Sequence, residues 1–319
     1  MRVSGLTVPG NVWLAPMAGY SDAAFRAVCV RHGASLCFAE MVSADALSRD
    51  NGTTLRLLVK APSEKLTGFQ IFTSNASMAG AAVRRIAPLG PAIIDLNCGC
   101  SVPKVLKADC GAVLLRNPAL IGSIVAAMKA ETDLPVSVKL RSGWDSSSLN
   151  YPACAEAAVR AGASLVSLHA RTRAQAFTGK ANWEHIRMLK ESCPVPVFGS
   201  GDLFTAEDCA EMIGQTGCDG VMLARGCLGN PFLFEEAEAL LSGRVNARPL
   251  DARVKLQTAM EHLRLLANAA GEEKACRDMR KHFVAYTKGI PGGSVIRQSV
   301  VSAGTIVEYE EIVESYLRV

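Results

Sequence analysis

Short apolar runs alternate with longer amphipathic ones along most of the chain. The apolar runs are VWLAPM (12–17), LCFAEM (36–41), LTGFQI (66–71), AIIDLN (92–97), PVSVKL (135–140), LVSLHA (165–170), PVFGSG (196–201) and GVMLAR (220–225). Each is nearly continuous in its apolar character, which fits strands covered on both faces. Between them, 22–32, 76–88, 119–131, 151–162, 182–192 and 205–214 place apolar residues at helical spacing. Eight such β–α units over residues 1–240 predict a (β/α)8 TIM barrel. An open doubly wound sheet would want a G-x-G-x-x-G turn after the first strand, and APMAGYSD does not supply one.

The pattern changes after residue 240. LLSGRVNARPLDAR (240–253) carries Gly, Pro and Asn and reads as a linker. Beyond it Leu256, Met260, Leu263 and Leu266 recur at helical spacing, so 251–319 is expected to be a small α-helical domain. Lys274, Lys281 and Lys288 lie seven residues apart and are expected to share one helix face, with Met279, Phe283 and Tyr286 on another. Residues 251–300 hold nine Lys and Arg against five Asp and Glu.

Composition adds limits. At 49% hydrophobic and 20% charged residues, the 319-residue chain is ordinary for a soluble globular protein. No apolar run is long enough to span a bilayer, and MRVSGLTVPG lacks the apolar core of a secretory signal. Eleven scattered cysteines, an odd number, point to free thiols in a reducing cytoplasm. Cys98 and Cys100 are separated by one residue and Cys110 stands alone, which is not zinc-knuckle spacing, so no metal is expected.

Polar residues close the predicted strands, and in a barrel those ends form the active-site face. Gln70 ends the third, Asn97 and Cys100 follow the fourth, and Lys139 ends the fifth with Arg141 beyond it. His169 ends the sixth, followed by Arg171 and Arg173; Ser200, Gly201 and Asp202 follow the seventh, and Ala224 and Arg225 the eighth. GSGD and ARGCLGNP occupy the loops where barrels commonly hold phosphate, with glycines that let backbone approach an anion. Lys139 suits the other end of such a ligand, because a cation beside a ring stabilises its anionic reduced form. Together these imply a phosphorylated, ring-bearing cofactor across the barrel mouth.

The motifs LAPMAGYSD, GFQI, DLNCGC…PK, SVKLR, HARTR, GSGD, MLARGCLGNP and MRKHFVAYTKGIPG run in order from residue 14 to residue 293. In this the chain resembles the tRNA-dihydrouridine synthases, and within them the bacterial B-type branch. The resemblance implies FMN, NADPH as reductant, and reduction of the C5–C6 double bond of uridines in tRNA. It places FMN contacts on Pro16, Met17, Ala18, Gln70, Lys139, His169, Ser200, Gly201, Asp202, Ala224 and Arg225. Cys100 matches the family's proton donor to C5, which a mostly protonated thiol can be at neutral pH. Gly99 is expected to relax the backbone there, Asn97 to contact flavin or uracil, and Cys98 to pack away from the chemistry. The helical domain is expected to bind tRNA through Lys274, Lys281 and Lys288, continued at the rim by Arg141, Arg171 and Arg173. Two departures stand out: Ser101 follows Cys100 where the family commonly has Pro, and Ser200 stands where Asn is frequent. Two other classes stay compatible with the residues: a flavin barrel acting on a small pyrimidine or enone, and a tRNA-binding protein with an idle redox site.

Overall fold

The computed structural model describes residues 1–49, 52–244 and 250–318. A two-stranded hairpin, β1 (Arg2–Val3) and β2 (Leu6–Thr7), precedes the barrel and was not expected. The remaining strands are β3 (Val12–Leu14), β4 (Cys37–Phe38), β5 (Val42–Ser43), β6 (Thr67–Phe72), β7 (Ile93–Cys98), β8 (Val136–Arg141), β9 (Leu165–His169), β10 (Val197–Ser200) and β11 (Gly220–Leu223). Their order β3-β4-β6-β7-β8-β9-β10-β11 returns to β3, every pairing parallel, so the sheet closes as an eight-stranded barrel. β5 pairs with the far end of β6 and continues β4 after a break. Glu40 lies in that break and accepts the backbone N–H of Gly19, while Met41 turns into the central cavity. The apolar run at 36–41 therefore supplies only β4, and the second piece, β5, begins just past it.

Two-residue alternation decides which side chains enter the barrel. Ile94, Leu96 and Cys98 of β7 join Val136, Val138 and Leu140 of β8 in the large buried cluster under the helices. Asp95, Asn97, Ser137 and Lys139 have the opposite parity. Near the strand starts, Trp13, Phe38, Ile93, Leu165, Phe198 and Met222 fill the interior, joined by Val3 from the hairpin. The Trp13 and Phe198 rings lie 4.0 Å apart. With one end plugged by aromatic packing, the polar residues further along the strands face the open end.

The helices Ala252–Ala270 and Glu272–Tyr286 pack on each other and on Ala24 of the helix Ala23–Arg31. Leu256, Met260, Leu263 and Leu266 are buried there, as are Met279, Phe283 and Tyr286. Gly229, in the loop after β11, fixes this docking. Its φ is +70°, and a Cβ there would sit 2.2 Å from the carbonyl carbon of Ala285. That glycine therefore has a packing reason of its own, apart from any anion. Of the linker read at 240–253, the helix Leu233–Leu241 takes the first residues and Ala252 begins the next helix; residues 245–249 lie outside the described residues.

The basic face expected on the second helix does not form as one stripe. The helix ends at Tyr286, with Thr287 as its cap, so Lys288 lies beyond it and is exposed. Lys281 donates to the Gly19 carbonyl and sits 5.0 Å from the Tyr20 ring centroid, so it faces the barrel. Lys274 is paired with Asp278 one turn along.

Candidate functional site

The open end of the barrel leads into a cavity of about 490 Å³, within the range of small-molecule and cofactor sites. All the residues expected to touch the cofactor line it: Pro16, Met17, Ala18, Gln70, Lys139, His169, Ser200, Gly201, Asp202, Ala224 and Arg225. Asn97, Cys100 and Arg141 line it too. Arg171, Arg173, Lys274, Lys281 and Lys288 do not.

A directional hydrogen-bond chain crosses β6, β7 and β8. Its anchor, Asp95, is buried and accepts from the Ser137 hydroxyl at 2.6 Å and the Gln70 amide at 2.7 Å. An ionised carboxylate only accepts, so Gln70 must turn its Nε2 toward Asp95 and its Oε1 away. Gln70 Oε1 then accepts from Asn97 Nδ2 at 2.9 Å. That in turn aims Asn97 Oδ1 at the backbone N–H groups of Cys100, at 2.9 Å, and Gly99, at 3.3 Å. The Cys100 carbonyl accepts from Ala112 N at 2.9 Å. Gly111 underlies that contact, with φ +65° and room for a Cβ only 2.6 Å from the Cys100 oxygen. Cys100 is thus pinned through both of its backbone polar groups. Gly99 has no left-handed φ, contrary to the expectation that it relaxes the turn, and a Cβ there would meet Arg141 Cγ at 3.4 Å, an ordinary contact, so neither the turn nor the packing demands a glycine.

Burial and charge set the protonation states. Burial pushes the Cys100 thiol up, against weaker lowering by a hydrogen bond at Val102 and by Arg141. Asp95 rises to about 6 because it is buried, with Ser137, Gln70 and Lys139 opposing. Burial brings Lys139 down to about 8, helped by Arg141 and opposed by Asp95. At pH 7 this leaves a carboxylate, an ammonium and a thiol that keeps its proton. His169 falls to about 2 through burial and then through Lys139, Arg141, Arg171 and Arg225, so it is a neutral imidazole. Its Nε2 is buried and has no hydrogen-bond partner.

The three rim arginines separate. Arg141 is mostly buried and works as a brace: Nε donates to the Gly99 carbonyl at 2.9 Å, and Nη1 to Thr172 and Ala176 carbonyls at 3.0 and 2.9 Å. Arg171, 2% exposed, donates Nη2 to both Asp202 oxygens at 2.7 Å and to Gly179 O at 2.6 Å. Burial alone would raise Asp202, but bonds from Ala181 N and Arg171 hold it below the usual carboxylate value. Both guanidiniums are therefore anchored on loops, not presented to solvent, and Arg171 Nη1 is left buried with no hydrogen-bond partner among the described residues. Arg173 stacks outside the cavity, 4.4 Å from the Trp144 ring centroid. Arg225 sits at the mouth over Phe177, at 4.3 Å.

Cys98 is fully buried in the outer layer, as its strand parity requires. Sequence reasoning missed Asp95, whose carboxylate reads as one polar interruption in IIDLN; the two-residue step to Asn97 and the matching step Ser137–Lys139 were the available signal. Among the described residues one group of three potential metal ligands meets, Asp22, His262 and His282, with ligand atoms within 4.8 Å of one another. It lies between barrel and helices and does not line the cavity, although Tyr20, which does, packs 5.5 Å from the His282 ring. No helix among the described residues is long and apolar enough to cross a membrane.

The family model described as dihydrouridine synthase matches residues 13–318. The chain is 41% identical over 323 residues to the probable tRNA-dihydrouridine synthase of Treponema pallidum, covering 98% of this chain and 95% of that one. It is 36% identical to tRNA-dihydrouridine synthase B of Pseudomonas aeruginosa, covering 93% and 90%. Among solved structures, histamine dehydrogenase from Rhizobium sp. 4-9 aligns with a TM-score of 0.58 at 14% identity, over 83% of this chain and 50% of that one, a likeness of fold alone. With the family model spanning nearly the whole chain and relatives matched over almost their full length, the protein belongs to the dihydrouridine synthase family.

Proposed function

We propose that the protein reduces the C5–C6 double bond of specific uridines in tRNA to 5,6-dihydrouridine, with bound FMN and NADPH as reductant, in the cytoplasm. The barrel, residues 1–240, carries the chemistry, and residues 251–319 help hold the tRNA. The observation that carries the reading is Cys100: a proton-bearing thiol, fixed by its backbone, on the wall of a cofactor-sized cavity.

The cavity suits FMN in its donors and acceptors. The buried His169 Nε2 lacks a partner, and the Lys139 ammonium makes no hydrogen bond among the described residues. Both are groups that a polar ring system entering the cavity would satisfy. Pro16, Met17 and Ala18 would bound it on one side, Gln70, Lys139 and His169 would meet its ring polar groups, and Ser200, Gly201, Asp202, Ala224 and Arg225 its phosphate. When bound, FMN supplies the hydride for uracil C6.

The remaining tasks fall to the chain. Cys100 holds a proton at Sγ and delivers it to C5, a general-acid role that needs only correct position and a thiol still protonated at neutral pH. Asn97 fixes the Cys100 backbone, and Gln70 and Asp95 fix Asn97. Lys139 keeps positive charge beside the site. To reach Cys100, the target uridine must leave its stack and enter the mouth.

The test is an assay of unmodified tRNA transcripts with purified protein and NADPH, alongside mapping of dihydrouridine in tRNA from cells lacking the protein. The expected result is a yellow protein with one non-covalent FMN, NADPH-dependent dihydrouridine in vitro, and its loss at defined positions in the deletion strain. Unchanged dihydrouridine in those cells together with no product in vitro would refute the reading.

A further inference from the structure

Three successive loops on the open face bring Arg116, Trp144 and Arg173 together. Arg116 ends the turn Gly111–Arg116 after β7, Trp144 follows β8, and Arg173 follows β9. The guanidinium carbons lie 3.7 Å and 4.4 Å from the Trp144 ring centroid. Backbone bonds lock the Trp144 loop to the Arg173 loop: Arg173 N to Gly143 O and Ala174 N to Trp144 O, both 2.9 Å. Arg141, which holds Gly99 beside Cys100, also holds the Thr172 and Ala176 carbonyls of the Arg173 loop. The arginine pair is thus braced to the same frame as the reacting thiol.

How these arginines are held is informative. Arg26, Arg171 and Arg187 are each fixed by a carboxylate, which also neutralises them. Among the described residues no carboxylate pairs with Arg116 or Arg173. Asp145, next to Trp144, instead accepts from the backbone and hydroxyl of Ser147 and from the Ser148 hydroxyl. A π face orients a guanidinium while leaving its charge and its in-plane donors unspent. Two oriented and unneutralised guanidiniums on one ring are suited to an anion with several oxygens, and Arg forks match phosphate.

Position narrows the anion. The helical domain meets the barrel at the loops after β3 and β11, through Lys281 with Gly19 and Ala285 against Gly229. In the ring of eight strands, β8 lies directly opposite β3. Trp144 therefore stands across the cavity mouth from the helices. A polynucleotide resting on the helices, with one base in the cavity, would continue over Trp144.

We propose that Arg116 and Arg173, oriented by Trp144, clamp a backbone phosphate of the RNA strand on the far side of the mouth. The proposal rests on the tRNA reading above and adds a second anchor to it. Trp144 is a positioning residue; the arginines make the contact.

The test measures binding of an unmodified tRNA transcript to FMN-loaded protein at several salt concentrations. Arg116→Gln and Arg173→Gln should each weaken binding about tenfold, the worth of a charge-assisted hydrogen bond. Together they should lower the slope of log affinity against log salt by roughly 0.7–0.9, the value of the one phosphate contact they share. Trp144→Ala should weaken binding and Trp144→Phe should largely restore it, because a ring face remains. FMN reduction by NADPH should be unchanged in all four, since none of the three residues lines the cavity. Wild-type affinity and salt slope in both arginine variants would overturn the clamp while leaving dihydrouridine formation intact. A wild-type protein that binds no tRNA and forms no dihydrouridine would overturn both readings together.

Discussion

The cavity mouth and the seam between barrel and helices both bury histidine, under opposite conditions. At the mouth, His169 has an unpartnered Nε2 beside open volume that a ligand can fill. In the seam, His262 and His282 lie with ring centroids 4.4 Å apart, and none of their four ring nitrogens has a hydrogen-bond partner. Phe25 packs 5.5 Å from each, and Tyr20 and Tyr286 close the sides. Burial lowers all three imidazoles, to about 2 for His169, about 3 for His262 and about 2 for His282. The same desolvation therefore has two meanings. In the mouth it prepares a neutral, receptive group; in the seam it makes the joint depend on imidazoles staying neutral.

The comparison breaks most severely if the mouth proves to be only structure. Cys100→Ala should leave FMN bound and reducible by NADPH while dihydrouridine formation falls by about 10²–10⁴-fold, the usual contribution of a positioned general acid. Cys98→Ala should lower thermal stability slightly, by on the order of 1 kcal/mol for a small buried truncation, and leave turnover nearly intact. Near-normal product from the Cys100 variant, or equal loss from the Cys98 variant, would assign the chemistry to the wrong thiol.

A smaller effect is expected at Lys139. Lys139→Ala should weaken FMN retention or slow its reduction by about tenfold, the scale of one charge-assisted contact. The lysine loses its proton as pH rises through about 8, so wild-type FMN capture should decline across that range. Lys139→Arg should remove the decline. Stopped-flow reduction and flavin fluorescence, read against pH, measure both; a folded Lys139→Ala variant that holds and reduces FMN normally would remove Lys139 from the contact set.

The two regions were not equally legible in the sequence. Strand parity was enough to place Cys98 on the packed outer face, but it would place Cys100, two residues on, the same way; Cys100 reaches the cavity only because the strand ends at Cys98 and the loop re-aims it. The barrel followed from the same regularity. Charge was less readable: Arg141 and Arg171 look like rim cations, but loop carbonyls and Asp202 claim them, and the sequence does not show which carbonyls lack donors. Asp95 was hidden because a single acid in an apolar strand has no partner until β8 brings Ser137 beside it. The seam was invisible because EHLRLL and RKHF sit on consecutive helices, and their histidines meet only when those two helices fold back and pack on the first barrel helix.

The seam should reveal itself by pH. Unfolded imidazoles take protons below about 6.5, whereas His262 and His282 resist until about 3 and 2. The unfolded state therefore binds more protons in that window, and stability must fall as pH drops from 6.5. Lys281 adds to the resistance, and Asp22 and Asp278 oppose it at His282. His262→Gln and His282→Gln should each flatten the decline in melting temperature between pH 6.5 and pH 4.5. Melting curves as steep with pH as those of wild type in both variants would show that carboxylates elsewhere govern the acid limb.

The smallest effect concerns the basic side chains of the helical domain, and here the structure ranks what the sequence treated as equal. Lys274 already shares its charge with Asp278, and exposed pairs of that kind are worth little to remove. Lys281 is engaged at Gly19 and Tyr20, so Lys281→Ala should lower melting temperature more than it lowers tRNA affinity. Lys288 is exposed past the helix end and appears in no ion pair among the described residues, which leaves it as the cation most available to a phosphate. Lys288→Ala should therefore reduce tRNA affinity a few-fold and lower the salt slope by roughly one contact, about 0.7–0.9. Lys274→Ala should do neither. If instead Lys274→Ala and Lys288→Ala weaken binding equally, both lysines face the RNA and the ion pair with Asp278 opens on binding; if neither does, the polyanion is held by the barrel rim and not by this helix.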